Sequence, residues 1–329
     1  MKVLFIGGTG TISTASTKLA LARGFDLTLL NRGSAEREIP MGAKVINGDI
    51  RDLASARAAI GDERFDVVVD WVAFTPEHIE TDLQLFQGRC GQYIFISSAS
   101  AYQTPPATLP VRESTILDNP YWAYSRNKMA CEERLQRAYR EDKFPITIIR
   151  PSHTYDKYYL PIEGGWTVAE RMLRGDKIIV HGDGTSLWTL THSSDFAKGM
   201  VGLLGNDHAL GESFHITSDE WLTWNRIHEI IAAALGVKAD IVHIPSDLIN
   251  AYAPDWGASL LGDKAHSFIL DNSKIKRLVP DFVCTTPFSR GVEDIINWHM
   301  ADSSRRVVSK EFDALCDRML EAYQQAWPK

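Results

Sequence analysis

The sequence predicts an α/β protein with a doubly wound parallel sheet and a smaller, mostly helical C-terminal lobe. Short apolar runs alternate with helical stretches up to residue 150, and after Arg150-Pro151 the pattern becomes mainly helical. Strands that alternate with helices pair in parallel through right-handed crossovers, and the helices then cover both faces of the sheet. The predicted division is a first domain over 1–150 and a second lobe over 151–329.

The strands of the first domain are predicted from runs rich in Val, Ile and Leu that are bounded by turn or charged residues. These runs lie at 3–6, 27–30, 44–46, 67–71, 93–96 and 146–149. The segments between them predict helices at 16–22, 53–60 and 78–86. Such short, nearly continuous apolar strands are typical of a sheet buried on both faces.

The second lobe is predicted to contain helices at 168–173, 196–204, 224–235, 291–298 and 312–327. Thr223 and Ser194 are the expected N-caps, and Gly236 is the expected C-cap. Some segments of this lobe, such as 193–204, are candidates to pack back on the first domain.

The bulk composition is ordinary for a globular protein and disfavours two other classes, disordered chains and nucleic-acid binders. A chain of 329 residues is longer than a single hydrophobic core usually supports, which agrees with two lobes. Its 44% hydrophobic and 23% charged residues exclude wholesale disorder. A net charge of −7 gives no general attraction to nucleic acid, so we do not expect a nucleic-acid partner.

The cysteine and histidine patterns predict neither a disulfide scaffold nor a metal site. The four cysteines are scattered without paired short spacing, which is typical of thiols in a reducing compartment. The sequence has no His-x-x-x-His pair and no matching carboxylate cluster that would bind a metal. The N-terminal apolar run is too short for a signal peptide, and no run of about 18 apolar residues predicts a membrane span. We therefore expect a cytoplasmic protein without a membrane partner.

A glycine-rich turn follows the first predicted strand directly and opens a helix. Gly7 and Gly10 permit a tight turn in which backbone N–H groups approach a pyrophosphate at a helix N-terminus. The context of strand, turn and helix makes this a predicted dinucleotide loop formed by Gly7, Gly10, Thr11 and Ile12. The third small residue is Ser13, which still allows the helix to pack closely on the strand.

The ends of the second and third strands predict the contacts of the adenosine half of the cofactor. Asn31 and Arg32 follow the second strand, where an acidic residue would bind the ribose hydroxyls. Arg32 can instead face a 2′-phosphate, which favours NADP and leaves NAD open; the alternative is an ordinary solvated arginine. Asp49 and Ile50 are expected beside the adenine, although Asp49 also suits a turn before the next helix.

Tyr124 and Lys128 are four residues apart and therefore share one face of a predicted helix. An ammonium group close to a phenol stabilises the phenolate, so Tyr124 would act as a general acid or base. Lowering the pKa of a tyrosine from ~10 to about 7 requires roughly 4 kcal/mol. Tyr139 and Lys143 have the same spacing but lie where the helix must stop. Ser98 follows the fifth strand, at the edge of the sheet where ligands bind, and Tyr124 begins the helix that comes after it. This position, more than the spacing, favours Tyr124 over Tyr139.

Several motifs together resemble the extended short-chain dehydrogenases/reductases of the NAD-dependent epimerase/dehydratase family, which have a Rossmann fold. The motifs are the glycine loop, Ser98-Ala99-Ser100-Ala101-Tyr102, Tyr124-x-x-x-Lys128, Ile149-Arg150-Pro151, Gly182-Asp183-Gly184-Thr185 and His192-Ser193-Ser194-Asp195. They span most of the chain.

This resemblance implies a set of functional residues. Tyr124 would relay the proton, Lys128 would bind the nicotinamide ribose, and Ser98 would hydrogen-bond the reacting oxygen. Ala73, after the fourth strand, would line the cofactor, and His153 and Trp188 would face the substrate. The aromatic residues Tyr155, Tyr158, Tyr159 and Trp166 are expected around the same pocket, with core packing as the alternative for some of them. Tyr155 is the one taken as a further substrate residue.

The sequence departs from the family where nucleotide sugars are bound. Trp188 stands where an arginine usually holds the diphosphate, and Leu260-Leu261 precede Gly262-Asp263 where a second arginine is typical. Ala99-Ser100 replace the acidic pair that follows the catalytic hydroxyl in dehydratases. We therefore expect neither a nucleotide-diphosphate sugar nor sugar dehydration.

These observations predict an NAD(P)-dependent oxidoreductase or epimerase that acts on a secondary alcohol or ketone of a small polar, sugar-like substrate. The helix at 78–86 is short and lacks the customary asparagine, which weakens the usual dimer contact, so a homodimer stays open. The Asn-Arg-Gly end of the second strand is similar to that of the chloroplast stem-loop-binding proteins, which are associated with RNA. The alternative function is therefore RNA binding or redox sensing on a dehydrogenase scaffold.

Overall fold

The computed structural model describes residues 1–33 and 39–326. Within these residues the strands are β1 (Lys2–Ile6), β2 (Asp26–Asn31), β3 (Lys44–Asn47), β4 (Phe65–Asp70), β5 (Cys90–Ile96), β6 (Ile146–Pro151), β7 (His153–Tyr155), β8 (Lys177–His181), β9 (Leu187–Trp188), β10 (Leu190–His192), β11 (Ser213–Ile216), β12 (Leu222–Thr223) and β13 (Asp240–Ile244). The α-helices are α1 (Ser13–Ala22), α2 (Leu53–Ile60), α3 (Pro76–Phe86), α4 (Ala123–Asp142), α5 (Trp166–Arg174), α6 (Ser193–Gly202), α7 (Trp224–Ala234), α8 (Ser246–Tyr252), α9 (Pro254–Ser259), α10 (Ser273–Leu278), α11 (Phe288–Met300) and α12 (Lys310–Gln325).

Seven parallel strands form the central sheet, in the order β11-β6-β5-β4-β1-β2-β3. Side chains alternate between its two faces. In β1, Val3 and Phe5 belong to the hydrophobic cluster on one face, and Leu4 and Ile6 belong to the cluster on the other. Helices cover both clusters, so the predicted doubly wound parallel sheet is confirmed.

Part of the chain after Pro151 returns to the first lobe. Strand β11 pairs with β6 at one edge of the central sheet, and α6 packs against α1. Phe196 and Met200 of α6 share a hydrophobic cluster with Val3 and Phe5 of β1. A single cut after residue 150 therefore does not separate the two lobes.

The second lobe has its own core, which includes Trp166, Ile227 and Val292. It also contains three two-stranded ladders, β7 with β10, β8 with β13 and β9 with β12, which the sequence did not predict. Strands of two to five residues carry too little periodicity to be recognised, and these form because tertiary contacts align them. Within the described residues, no helix has the length and apolar character that crossing a bilayer requires.

Two of the three predicted helix caps differ in detail from the observed ones. Thr223 caps α7 by accepting a hydrogen bond from the Arg226 N–H, as expected. Ser194 was wrongly expected to cap α6, because the Nδ1 atom of His192 accepts from the Ser194 N–H instead. Gly236 follows the last residues of α7 with a φ of 74° rather than forming the C-cap itself. The predicted helix end at Trp327 lies outside the described residues.

Candidate active site

A cavity of about 490 Å³ lies at the carboxyl ends of the central strands. Residues that follow β1, β4, β5 and β6 line it from the first lobe, and residues of the second lobe close it from the other side. In doubly wound sheets, ligands bind at this edge. The volume is typical of a small-molecule site.

The glycine turn after β1 has a backbone that only glycine adopts without strain. Gly7 and Gly8 have φ values of 95° and 115°. A Cβ atom on Gly8 would lie 2.7 Å from a Leu29 methyl carbon, so helix, turn and strand approach closely. The Gly10 N–H donates to Ser13 Oγ at 2.8 Å, and Ser13 begins α1. The turn therefore leaves the space at a helix N-terminus that a dinucleotide pyrophosphate requires.

The predicted cofactor residues lie at or around this turn. Thr11 belongs to it, and Ile12 lines the cavity. Asn31 is buried at the end of β2, where its side-chain amide donates to the Gly7 carbonyl at 2.9 Å and supports the turn. Arg32 follows it and is exposed. The residues present fit a nicotinamide dinucleotide.

The residues after β3 form a turn that packs on the first lobe. Asp49 Oδ1 accepts a hydrogen bond from the Arg51 N–H at 2.9 Å, which makes Asp49 a turn residue, as its second interpretation had it. Ile50 is buried in the hydrophobic cluster of the sheet. A contact of either residue with adenine stays a prediction.

Lys128 lies under the cavity in a buried aromatic surround. Its Nζ atom donates to the carbonyl oxygens of Ala73 and Ile96, both at 2.7 Å. The same atom lies 4.6 Å from the centre of the Phe74 ring and 5.8 Å from that of Tyr124. Burial lowers the pKa of Lys128 to about 8. Lys128 therefore joins α4 to the ends of β4 and β5, and the buried Ala73 takes part through its backbone.

Tyr124 and Ser98 both line the cavity, and their hydroxyl groups are within hydrogen-bond reach of each other. Ser98 Oγ also lies 2.9 Å from Ser100 Oγ. Burial raises the pKa of Tyr124, the hydrogen bond with Ser98 opposes this, and the nearby Asp263 carboxylate raises the pKa further. The expectation that Lys128 lowers this pKa is not what the structure shows, because the ammonium group is directed at two carbonyls. The phenol therefore keeps its proton at neutral pH.

Two buried carboxyl groups, those of Asp70 at the end of β4 and Asp82 on α3, lie on the Lys128 side of the sheet end. Asp70 Oδ1 accepts hydrogen bonds from the N–H groups of Val72 and Ala73, and the Tyr93 hydroxyl donates to Asp82 at 2.5 Å. Among the described residues, the other oxygen atom of each carboxyl finds no separate donor. Burial, together with Asp70 close by, raises the pKa of Asp82 well above its usual range. The folded protein therefore binds a proton at Asp82 more tightly than the unfolded chain does.

Replacing Asp82 by asparagine is expected to remove a pH dependence of stability. The folded protein keeps a proton that the unfolded chain releases above about pH 4. Between that pH and the raised pKa of Asp82, the free energy of unfolding must fall as the pH rises. Asparagine carries no such proton, and its amide can still donate to Asp70.

The measurement is urea unfolding of both proteins at about pH 5 and about pH 7. The wild type should lose more stability over this interval than Asp82→Asn. The control is Asp62→Asn at an exposed position, which should behave as the wild type. Equal slopes for the wild type and Asp82→Asn would show that Asp82 is ionised in the folded protein.

The second lobe contributes His153 and Trp188, and both line the cavity. The Trp188 indole N–H is directed at His153 Nδ1 at 3.4 Å, and His153 Nε2 lies 3.4 Å from the Tyr159 hydroxyl. Burial lowers the pKa of His153 to about 3. His153 is therefore an uncharged imidazole at neutral pH, in contact with the polar atoms of Trp188 and Tyr159.

A sequence model of the NAD dependent epimerase/dehydratase family matches residues 3–216. The chain belongs to this family. The match covers the central sheet, the glycine turn and the three central residues Ser98, Tyr124 and Lys128. This match confirms the resemblance to the extended short-chain dehydrogenases/reductases that the motifs indicated.

Individual curated proteins are similar to the chain at low identity. The chloroplast stem-loop binding protein of 41 kDa b of Arabidopsis thaliana is 28% identical over 74% of this chain and 65% of its own length. UDP-glucose 4-epimerase of Lactobacillus helveticus is 27% identical over 46% and 51%. The chain thus matches about half to two thirds of the length of these relatives.

A solved structure extends the likeness to nearly the whole fold. UDP-glucose 4-epimerase of Bifidobacterium longum, in complex with NAD⁺ and UDP, superposes with a TM-score of 0.75 at 18% identity. The superposition covers 93% of this chain and 100% of that chain. At this identity the likeness concerns the fold, including the lobe that follows the family match.

The structure corrects the prediction for Tyr155, which is fully buried outside the cavity. Its ring contacts Phe288 edge-on at 5.4 Å, and a Cβ atom on Gly291 would lie 2.3 Å from its hydroxyl oxygen. Tyr155 thus fills a slot over a glycine of α11. Tyr155 lies two residues after His153 in β7, beyond the cavity, and its side chain is part of the core of the second lobe.

Sequence reasoning also missed several residues that line the cavity. They are Phe74, Trp122, Glu163, Trp224, Trp256, Asp263 and Lys264. Trp122 carried a usable signal, because it immediately precedes the helix that begins with Ala123 and Tyr124. Phe74 follows β4 in the first lobe, and the others reach the cavity only through the packing of the second lobe.

Proposed function

We propose that the protein is an NAD(P)-dependent oxidoreductase or epimerase that acts on a secondary alcohol or ketone of a small polar, sugar-like substrate. One observation carries the proposal. The Tyr124 hydroxyl, the Ser98 hydroxyl and the Lys128 ammonium group converge at the ends of β4 and β5, beside the glycine turn. The NAD⁺ in the solved relative supports the choice of cofactor class.

The chain's own groups suit proton transfer at a substrate oxygen. A bound nicotinamide dinucleotide would supply or accept hydride. Tyr124, whose pKa burial raises, donates its proton to a carbonyl oxygen in reduction and is left as the phenolate. In the reverse oxidation only this phenolate can take the proton of a substrate hydroxyl, so the phenol must first lose its own proton. Ser98 hydrogen-bonds the same oxygen and fixes its position. Lys128 holds the Ala73 and Ile96 carbonyls and is placed to reach the cofactor ribose.

The first test is hydride transfer followed by the absorbance of the reduced nicotinamide. Purified protein is incubated with NAD⁺ or NADP⁺ and free sugars or cyclic polyols that carry secondary hydroxyls. Retention of oxidised cofactor through dialysis would favour an epimerase, and release would favour a dehydrogenase. No hydride transfer and no epimerised product with any of these compounds would count against the proposal.

Arg32→Ala is expected to weaken the binding of NADP more than the binding of NAD. Arg32 is exposed directly after β2, where a guanidinium group can pair with a 2′-phosphate. Loss of that charge-assisted contact should reduce the affinity for NADP by about tenfold and leave NAD nearly unchanged. Calorimetric titration of both cofactors measures this, with Arg57→Ala as an exposed control. Equal losses for NAD and NADP would rule out a phosphate contact.

RNA binding is the second candidate, and the name of the Arabidopsis relative supports it. This candidate predicts RNA affinity that falls steeply with salt, because backbone phosphates would supply the contacts. It also predicts that Tyr124→Phe has little effect. Gel-shift titration of a stem-loop RNA at two salt concentrations separates it from the enzyme.

A further inference from the structure

The substrate side of the cavity contains one ion pair with an aromatic surround. Lys264 Nζ lies 3.1 Å from Asp263 Oδ1 and between two indoles, 5.2 Å from the centre of the Trp122 ring and 5.6 Å from that of Trp188. The Asp263 and Lys264 side chains are only 8% and 17% exposed. A cation over an indole face is favourable, and more so where water is excluded. The pair is therefore part of the cavity wall and not a solvated surface contact.

The backbone of this segment is fixed by hydrogen bonds from three other segments of the second lobe. Lys264 belongs to a π-helical turn, Leu260–Lys264, and such turns occur often at functional sites. Its carbonyl oxygen accepts hydrogen bonds from His181 Nε2 at 2.9 Å, Ser186 Oγ at 3.1 Å and Trp224 Nε1 at 3.2 Å. The ion pair is thereby held in position before a ligand binds.

The charges that line the cavity are poorly suited to a phosphorylated ligand. Among the described lining residues, the charged groups are Lys128, Lys264, Glu163 and Asp263. Lys128 is directed at two backbone carbonyls, and Lys264 is paired with Asp263. A diphosphate would bring its negative charges beside two carboxyl groups with no arginine among these residues to receive them.

The same groups are well suited to a neutral ring with neighbouring hydroxyls. A carboxylate accepts hydrogen bonds and an ammonium group donates them, so the pair can satisfy both roles of two adjacent hydroxyls. Indole rings offer flat apolar surfaces for the C–H face of such a ring. Trp122 also packs against Tyr124, with ring centres 4.9 Å apart, which places this surface next to the proton carrier.

We propose that the Asp263–Lys264 pair binds adjacent hydroxyls of an unphosphorylated polyhydroxylated ring, such as a free sugar or cyclitol, whose C–H face packs on Trp122 and Trp188. This substrate class deepens the proposed function and rests on it, because Tyr124 then acts on a hydroxyl or carbonyl of the same ring. Asp263 and Lys264 determine specificity, and Tyr124 with Ser98 carries the chemistry.

Ligand-observed NMR on the NAD⁺-loaded Tyr124→Phe protein tests the proposal without turnover. The probes are D-glucose, D-galactose, D-xylose and myo-inositol, with glucose 6-phosphate, UDP-glucose and cinnamyl alcohol as charged and aromatic comparisons. At least one neutral ring should bind saturably and more tightly than the comparisons. In that background, Lys264→Met and Asp263→Asn should each weaken the binding of this ring by about tenfold or more. Lys276→Met, which breaks the exposed pair with Asp219, should not.

Three results would overturn the substrate class: no saturable binding of any neutral ring, tighter binding of a phosphorylated or aromatic probe, or unchanged affinity in Lys264→Met. Circular dichroism and thermal melting of each variant show that it is folded. The proposed function can fail separately, because turnover that survives Tyr124→Phe would remove the proton carrier and leave ring binding intact.

Discussion

Replacing Tyr124 by phenylalanine is expected to lower kcat by about 10²–10⁴-fold, the usual contribution of a positioned general acid or base. The variant loses only the hydroxyl oxygen that meets Ser98. Its ring still packs on Trp122 at 4.9 Å and on Phe74 at 6.4 Å, so the cavity wall should persist. Because the glycine turn and Lys128 are untouched, the affinity for the dinucleotide should change by less than about twofold.

The measurement combines steady-state kinetics with calorimetric titration of the cofactor. The matched control is Tyr121→Phe, since Tyr121 lies three residues earlier, is 50% exposed and does not line the cavity. Ser98→Ala should also lower kcat, through loss of the second hydrogen bond to the reacting oxygen. Full turnover in Tyr124→Phe would assign proton transfer to another group and favour a binding function of the scaffold.

Replacing Glu132 by leucine is expected to destabilise the fold by about 3–5 kcal/mol, the range for breaking a buried ion pair. Glu132 on α4 is fully buried and accepts hydrogen bonds from the Arg150 guanidinium group at 2.5 to 3.2 Å and from Ser97 at 2.5 Å. The Tyr102 hydroxyl lies 2.7 Å from Arg150. Leucine would leave a buried guanidinium group without its carboxylate.

Urea unfolding of three variants tests this prediction. The double variant Glu132→Leu/Arg150→Met should be more stable than Glu132→Leu alone, because it buries no unpaired charge. Glu80→Ala breaks an exposed pair with Arg134 and should cost about 1 kcal/mol or less. A loss of the same size in Glu132→Leu would mean that water reaches the guanidinium group. The pair joins the helix of Tyr124 and Lys128 to the sheet, so activity should fall with stability in Glu132→Leu.

Most of the sheet could be predicted because β1, β2, β4, β5 and β6 are apolar runs with side chains buried on both faces, whereas the edge strand β3 is largely exposed. The short strands of the second lobe could not, since a ladder such as β9 with β12 depends on which segments the fold brings together. Periodicity in the sequence reports burial, and it carries little information on pairing between distant short segments.

The centre of the site could be predicted for a similar reason. Ser98, Tyr124 and Lys128 lie at the end of a strand and on one helix turn, where local spacing fixes direction. Gly262-Asp263 served in the sequence only to locate a missing arginine, and the place of Asp263 and Lys264 in the cavity was missed because a π-helical turn leaves no pattern in the sequence. Tyr155 was misplaced because an aromatic residue near the expected pocket suits core packing equally well, and the sequence does not show that Gly291 of α11 leaves room for its ring.

Because β11 returns to the edge of the sheet, we expect that the two halves of the chain do not fold independently. A fragment that ends at residue 151 would leave β6 as an unprotected edge strand, with the apolar side of α1 uncovered. Such an edge pairs readily with other chains, so the fragment would aggregate. The first half thus depends for a complete sheet on a strand that follows it by about sixty residues.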